Sequence, residues 1–322
     1  MKVCIVGGAG FIGSHFCDHL LADPATERVT VYDNFTSGRD WHVAHHLDDA
    51  RFAVVRGEVA DLEHLTDTMS GHGLVIHLAS NPDIAKAMTD PRVDFDEGTA
   101  LTFSVVEAAR RSGVGEILYA SGSGVYGELG EVEAQEDHGP LLPTSTYGAS
   151  KLAGEAMLSS YASMFGIAAS AFRFGNVVGP RQTHGVGFDF VRRLRRDPSV
   201  LDILGDGTQS KSYIHVLDVI RAVMTAHRTR LAPYEVFNVA TGDYITVREI
   251  AMLALEVLDL DHATTAFRFS GGDRGWKGDV PIVRLSTERI RSRGWTCERP
   301  SREALQVAME SMMVDDAAGL FA

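Results

Sequence analysis

The chain has 322 residues, 45% of them hydrophobic and 23% charged, with a formal net charge of −13. This is the composition of a globular protein, long enough for one large domain or two smaller ones, and not that of a disordered chain. The acidic balance excludes nucleic acid as an expected partner, since phosphate binding needs a basic surface, and an anionic small molecule would need local Arg and Lys to outweigh the global field.

In chain order, apolar runs at Val3–Val6, Val29–Tyr32, Phe52–Val55, Leu74–Leu78 and Glu116–Tyr119 predict strands. Phe11 to Leu21 and Leu101 to Ala109 carry helical spacing between them. Alternating β and α segments with nearly continuous apolar strands predict an α/β fold of the Rossmann type, a doubly wound parallel sheet covered on both faces. From about residue 175 Gly and Pro become frequent and the rhythm breaks. The expected division is therefore 1–175 and 176–322, the second part a smaller α/β unit interleaved with the first, with some later segments returning to it.

The N-terminal run Met1–Gly7 enters a glycine turn and not a small-residue cleavage site, so it reads as a strand and not as a signal peptide. No apolar run approaches the ~20 residues of a membrane helix. Cys4, Cys17 and Cys297 show no paired spacing, which makes a reducing, cytoplasmic setting the expectation.

Between the first strand and the first helix lies Gly7-Gly8-Ala9-Gly10-Phe11-Ile12-Gly13. Glycines at these spacings permit a tight turn and close backbone approach, while the helix N-terminus favours a pyrophosphate. The next strand ends in Asp33-Asn34, about 20 residues past Gly13, where an acid bonds a ribose 2′-hydroxyl and repels a 2′-phosphate. Cofactor binding at Gly7, Gly10, Phe11, Ile12, Gly13, Asp33 and Asn34 is expected, with NAD favoured over NADP.

Tyr147 and Lys151 stand at i and i+4 of a helical stretch running to Phe165, so their side chains share a face. A free phenol with a pKa of about 10 is ionised roughly one part in a thousand at pH 7, a deficit of about 4 kcal/mol. A neighbouring ammonium and a positive nicotinamide favour the phenolate, so the pair fits proton transfer at an alcohol carbon.

With these motifs stand Val75–Ser80, Ser121–Gly127, Arg173–Pro180, Leu204–Val219 and Gly271–Pro281. Together they resemble, almost end to end, the extended short-chain dehydrogenase/reductase family in its nucleotide-sugar epimerase/dehydratase branch. The likeness is greatest to UDP-glucose 4-epimerase-like and UDP-glucuronate 4-epimerase proteins. The resemblance implies Glu58 and Val59 beside the adenine, Leu78, Ala79 and Ser80 along the nicotinamide, and Lys86 near the cofactor phosphates or ribose. It further implies Asn176 and Lys211 on the substrate diphosphate, Tyr213 beside them, and Arg274 and Asp279 toward the diphosphate and uridine ribose. Pairing of the helices around Leu101–Ala109 and Leu152–Phe165 as a four-helix bundle would give a homodimer.

Two departures from the family pattern bear on the chemistry. Gly122 occupies the place of the usual Ser or Thr near the sugar 4-hydroxyl, so either Ser121 or Ser123 supplies that hydroxyl or Tyr147 acts without it. Ser123-Gly124 stands where dehydratases carry an Asp-Glu pair, leaving elimination without its proton carriers. The expected activity is therefore C4 epimerisation of a UDP-sugar through a transient 4-keto sugar. Arg181 and Arg192, able to pair a C6 carboxylate, tilt the expectation slightly toward UDP-glucuronate, with UDP-glucose close behind. The alternatives are a 4-ketoreductase with net redox, or a non-catalytic NAD-binding protein. No metal is expected: His15 and His19 lack a third ligand, and His42, His45 and His46 read as solvated loop residues.

Overall fold

Apolar side chains along the first strand point alternately to two faces. In the computed structural model, which describes residues 1–81 and 84–320, that alternation divides two cores. From β1 (Lys2–Val6), Val3 and Ile5 pack with Phe16, Cys17 and Leu20 of α1 (Phe11–Ala22), whereas Cys4 and Val6 join the opposite layer. Next come β2 (Arg28–Asp33), a short α2 (Asp40–Val43), β3 (Phe52–Arg56), α3 (Leu62–Met69) and β4 (Leu74–His77). Then follow α4 (Arg92–Asp94), α5 (Leu101–Ser112), β5 (Glu116–Gly122), α6 (Thr146–Phe165) and β6 (Ala168–Phe174).

These six strands pair in parallel in the order β3-β2-β1-β4-β5-β6. Helices α3, α5 and α6 supply Leu65, Met69, Val105, Val106 and Leu158 to one face. Each fully buried side chain of this size contributes about 1.5–3 kcal/mol. Ser145 starts α6 by accepting the Gly148 N–H at 3.1 Å, and Gly166, left-handed at φ 71°, ends it.

The C-terminal half continues with β7 (Asn176–Val178), α7 (Val186–Arg196), β8 (Val200–Ile203), β9 (Ser210–Lys211), β10 (Tyr213–His215), α8 (Val216–Arg228) and β11 (Tyr234–Val239). It closes with β12 (Ile245–Thr246), α9 (Val247–Val257), β13 (Ala266–Phe269), α10 (Glu288–Arg291) and α11 (Ser301–Ala317). β11 returns to the large sheet beside β6 as its seventh strand, and α8 covers the α1 face. A separate core gathers α7, α9 and α11 around Leu194, Leu253, Leu305 and Met309. No described helix is long and apolar enough to cross a membrane.

Several histidines are buried within this frame. Burial pushes His42 and His215 down to about 4 and His77 to about 3, against 6.5 for a free imidazole. Between pH 6.5 and those values the unfolded chain binds more protons than the folded one, so stability falls as pH falls through that window. Thermal melts followed by circular dichroism are expected to drop progressively below about pH 6.5. A melting temperature unchanged down to about pH 5 would contradict this.

Candidate active site

The chain leaves β1 for β2 on one side and β4 on the other, and at that reversal the carboxyl ends of the strands open on a cavity of about 830 Å³. Open α/β sheets bind ligands at such a switch point.

The glycine turn forms one end. Gly7 adopts φ +84° and donates to Tyr32 O at 2.9 Å; a Cβ there would lie 2.7 Å from Ala79 N. A Cβ at Gly13 would come within 2.5 Å of Gly7 O, so only glycine lets α1 seat so close to the turn. Gly10 caps α1 without a side-chain bond, and Gly10, Phe11, Ile12 and Gly13 line the cavity. The helix N-terminus therefore faces the cavity, in the arrangement that suits a pyrophosphate.

Asp33, buried at the end of β2, accepts the Ala9 N–H at 2.9 Å and the Phe35 N–H at 2.8 Å. It thereby locks the glycine turn to the loop that follows β2, and burial pushes its carboxyl above the usual range. Asn34 donates to Glu58 Oε2 at 3.0 Å, and Tyr32 donates to Glu58 O at 2.9 Å. Asp33, Asn34, Glu58, Val59, Leu78, Ala79 and Ser80 all line the cavity. Lys86 is exposed on a short 3-10 turn and is not among the lining residues.

Tyr147 and Lys151, on the first turns of α6, line the cavity beside β5. Lys151 Nζ donates to Ala120 O at 2.9 Å and lies 5.4 Å from the Tyr147 ring centroid. Burial pushes the Tyr147 phenol up to about 12, against a lowering by its hydrogen bond with Ser80. Burial likewise brings Lys151 down to about 8, against a raising by Asp94. Desolvation thus favours the neutral forms of both groups, and positive charge entering the cavity is what draws the phenol toward phenolate.

Gly122, the last residue of β5, separates the two serines. Ser121 is buried and its hydroxyl donates to Glu155 Oε1 at 2.6 Å. Glu155 also accepts from Arg173 Nε at 3.0 Å and Nη2 at 2.7 Å, while Arg173 Nη1 donates to Tyr126 Oη at 2.8 Å. Ser121 therefore belongs to a buried charge network beneath the turn. Both serines are among the cavity-lining residues, but Ser123 stands outside that network. Gly122 is extended (φ −154°, ψ 163°), and a Cβ there meets nothing within 4 Å.

On the opposite side, Asn176, Tyr213 and Asp279 line the cavity. Lys211 stands just behind, its ammonium on Asp279 Oδ1. Arg274 is held by Glu128 at 3.0 Å and Asp273 at 3.1 Å, also outside the lining. Arg181 turns away, pairing with Asp18 of α1 and donating to His42 O at 3.4 Å. Arg192 is exposed on α7 and does not reach the cavity. Sequence reasoning gave no role to Ser145, Gln182, His184 and Trp276, which line it. Trp276 lies within the Gly271–Pro281 segment; Gln182 and His184 lie in a Gly-rich stretch with no periodic signal. His42, read from sequence as solvated, is fully buried, with Nδ1 2.7 Å from Ala9 O.

Fold and site define a Rossmann-type protein with a tyrosine–lysine pair inside its ligand cavity. Residues 3–240 match the NAD dependent epimerase/dehydratase family, to which the chain belongs, and its cofactor is NAD. A UDP-glucose 4-epimerase of Mycolicibacterium smegmatis is 33% identical over 259 residues, covering 78% of this chain and 80% of its own. A dTDP-glucose 4,6-dehydratase of Actinoplanes sp. is 31% identical over 264 residues, covering 80% and 81%. The solved structure of Thermus thermophilus UDP-glucose 4-epimerase in complex with NAD is similar at a TM-score of 0.85 and 30% identity, with coverage of 97% and 99%.

Proposed function

We propose that the protein is an NAD-dependent UDP-sugar 4-epimerase. The observation that carries this reading is Tyr147 and Lys151 at a cavity wall whose adjoining turn is Gly122-Ser123-Gly124. An alcohol carbon can be oxidised and re-reduced there, but the turn offers no carboxyl group to carry the protons of water loss.

When bound, NAD supplies the acceptor and donor of hydride at the sugar C4. Tyr147 takes the proton of the 4-hydroxyl, Lys151 stabilises the phenolate, and Ser123 donates to the sugar oxygen in place of the hydroxyl missing at residue 122. Asn176 holds the diphosphate, with Lys211 leaving Asp279 and Arg274 leaving Glu128 to join it. The 4-keto sugar turns about that anchor and presents its other face for the return of hydride to C4, while Tyr147 gives the proton back to the C4 oxygen, which inverts the centre. Ser123→Ala is expected to lower kcat by about 10–100-fold. Adding Gly122→Thr, for which the open space leaves room, should recover part of that loss in the same steady-state assay.

The uronate expectation rested on Arg181 and Arg192, and neither faces the cavity. Of the Lys and Arg side chains, Lys151 alone is among the described lining residues, against Asp33, Glu58, Asp96, Glu97 and Asp279. With Lys151 already serving Tyr147, a further carboxylate on the sugar would find no lining cation to pair with, so the neutral pair UDP-glucose and UDP-galactose is favoured. Incubation with UDP-glucose and UDP-glucuronate in parallel, without added cofactor, tests this. Preferential formation of UDP-galactose supports it; preferential formation of UDP-galacturonate refutes the choice of sugar, and no epimer from either refutes the activity.

We further propose a homodimer through α5 and α6, where Phe103, Met164 and Phe165 are exposed apolar side chains. Sedimentation equilibrium should give twice the 34.9 kDa chain mass; a monomer would refute it.

A further inference from the structure

We propose that Asp18, His45 and His46 form a binding site for a divalent transition metal of the zinc class, outside the sugar-nucleotide cavity. His45 Nε2 lies 2.8 Å and His46 Nε2 2.7 Å from the same oxygen, Asp18 Oδ1. The two imidazoles come from adjacent residues of a 3-10 turn, which would ordinarily send them apart, yet their ring centroids are only 4.0 Å from each other. Three donor atoms from two separate segments thus converge within 4.8 Å.

Two imidazoles with one carboxylate are a ligand set for zinc and its neighbours, whereas calcium and magnesium take oxygen ligands. Metal–ligand bonds of about 2.0–2.1 Å in a tetrahedron place the donors roughly 3.3 Å apart. Each imidazole therefore has to withdraw by about half an ångström, and His45, half exposed, is free to do so. Its exposure also leaves the fourth position to water. The second Asp18 oxygen is held by Arg181, which fixes the carboxylate as a one-oxygen ligand in the manner of an outer-shell partner. The guanidinium charge opposes a cation, which sets the affinity at a moderate level. His15 does not join: its Nε2 donates to Pro180 O at 2.9 Å, and its Nδ1 lies 3.8 Å from the other Asp18 oxygen.

The location gives the metal a structural role. The chain from Asn34 to His46 lends Asn34, Thr36 and Ser37 to the cavity, and it is fastened to the glycine turn by Arg39 N and His42 Nδ1, both on Ala9 O. A metal would clamp its far end to α1 without touching the reacting groups.

The test is titration of the tag-free, full-length protein with zinc chloride by calorimetry, alongside His45→Ala and the His45→Ala/His46→Ala pair. One equivalent should bind at micromolar or lower concentration, weakened at least about 30-fold in each variant, with zinc raising the unfolding temperature of wild type alone. His46 packs on Phe52, so His45→Ala is the safer variant should the pair fail to fold. Equal zinc binding by wild type and His45→Ala, or no saturable binding by wild type, would overturn the proposal.

Discussion

Replacing Tyr147 with Phe is expected to lower kcat by about 10³-fold, or about 4 kcal/mol in the barrier, while leaving the NAD content of the purified protein unchanged. The substitution keeps the ring, and with it the packing at the start of α6 and the space beside Lys151. It removes the phenol that the proposed chemistry uses to take the hydroxyl proton, on the cavity wall lined also by Gly122, Ser123 and Gly124. The proposed cofactor contacts at the glycine turn, the Asp33 end of β2 and Lys151 are left in place, so the NAD-to-protein ratio by absorbance is the control. A Tyr147→Phe variant retaining more than about a tenth of the activity would remove the tyrosine from the proposed chemistry.

Replacing Glu155 with Leu is expected to destabilise the protein by about 3–5 kcal/mol. The side chains of Glu155 and Arg173 are only 5% and 4% exposed, and their two-nitrogen contact is the only ion pair Arg173 makes among the described residues. Removing the carboxylate leaves a buried guanidinium on Tyr126 and Glu136 O and strips Ser121 of its acceptor. The uncompensated charge costs far more than the pair itself contributes, so Glu155→Leu/Arg173→Met should recover most of the loss. Urea unfolding midpoints of the single and double variants check this. A single variant as stable as wild type would show that the buried charge finds other relief.

The fold was readable because the first 120 residues obey short-range rules. Apolar runs became strands β1 to β5 within a residue or two at most ends, and glycine spacing placed the turn before α1. β5 runs on to Gly122, three residues past the apolar run, because Ala120, Ser121 and Gly122 continue its ladder with β6. β6 itself carries Ser170 and a buried Arg173 and was not among the predicted strands, since a buried arginine makes sense only once Glu155 from α6 is placed against it. The small β-pairs of the second half are two to four residues long, too short to leave a period.

At the site, motif positions were legible and side-chain directions were not. The glycine turn, Asp33, Tyr147 and Lys151 meet in one cavity, as their order along a doubly wound sheet implies. Ser121 and Ser123 looked equivalent in sequence and both line the cavity; only the structure shows that Ser121, within β5, bonds Glu155 while Ser123, just past the strand end, stands outside that network. Arg181 and Arg192 looked like substrate cations because they follow Asn176 in the chain. A left-handed Arg181 at φ 64° and the outward face of α7 take them elsewhere.

The central claim is that hydride leaves C4 and returns to C4 on one enzyme-bound NAD. The most direct measurement is the fate of deuterium in UDP-glucose labelled at C4, incubated with purified protein and no added cofactor. The account predicts UDP-galactose that keeps the label at C4, with no net reduction of NAD. Label recovered at C6 with loss of water, or washed out to solvent, would contradict it.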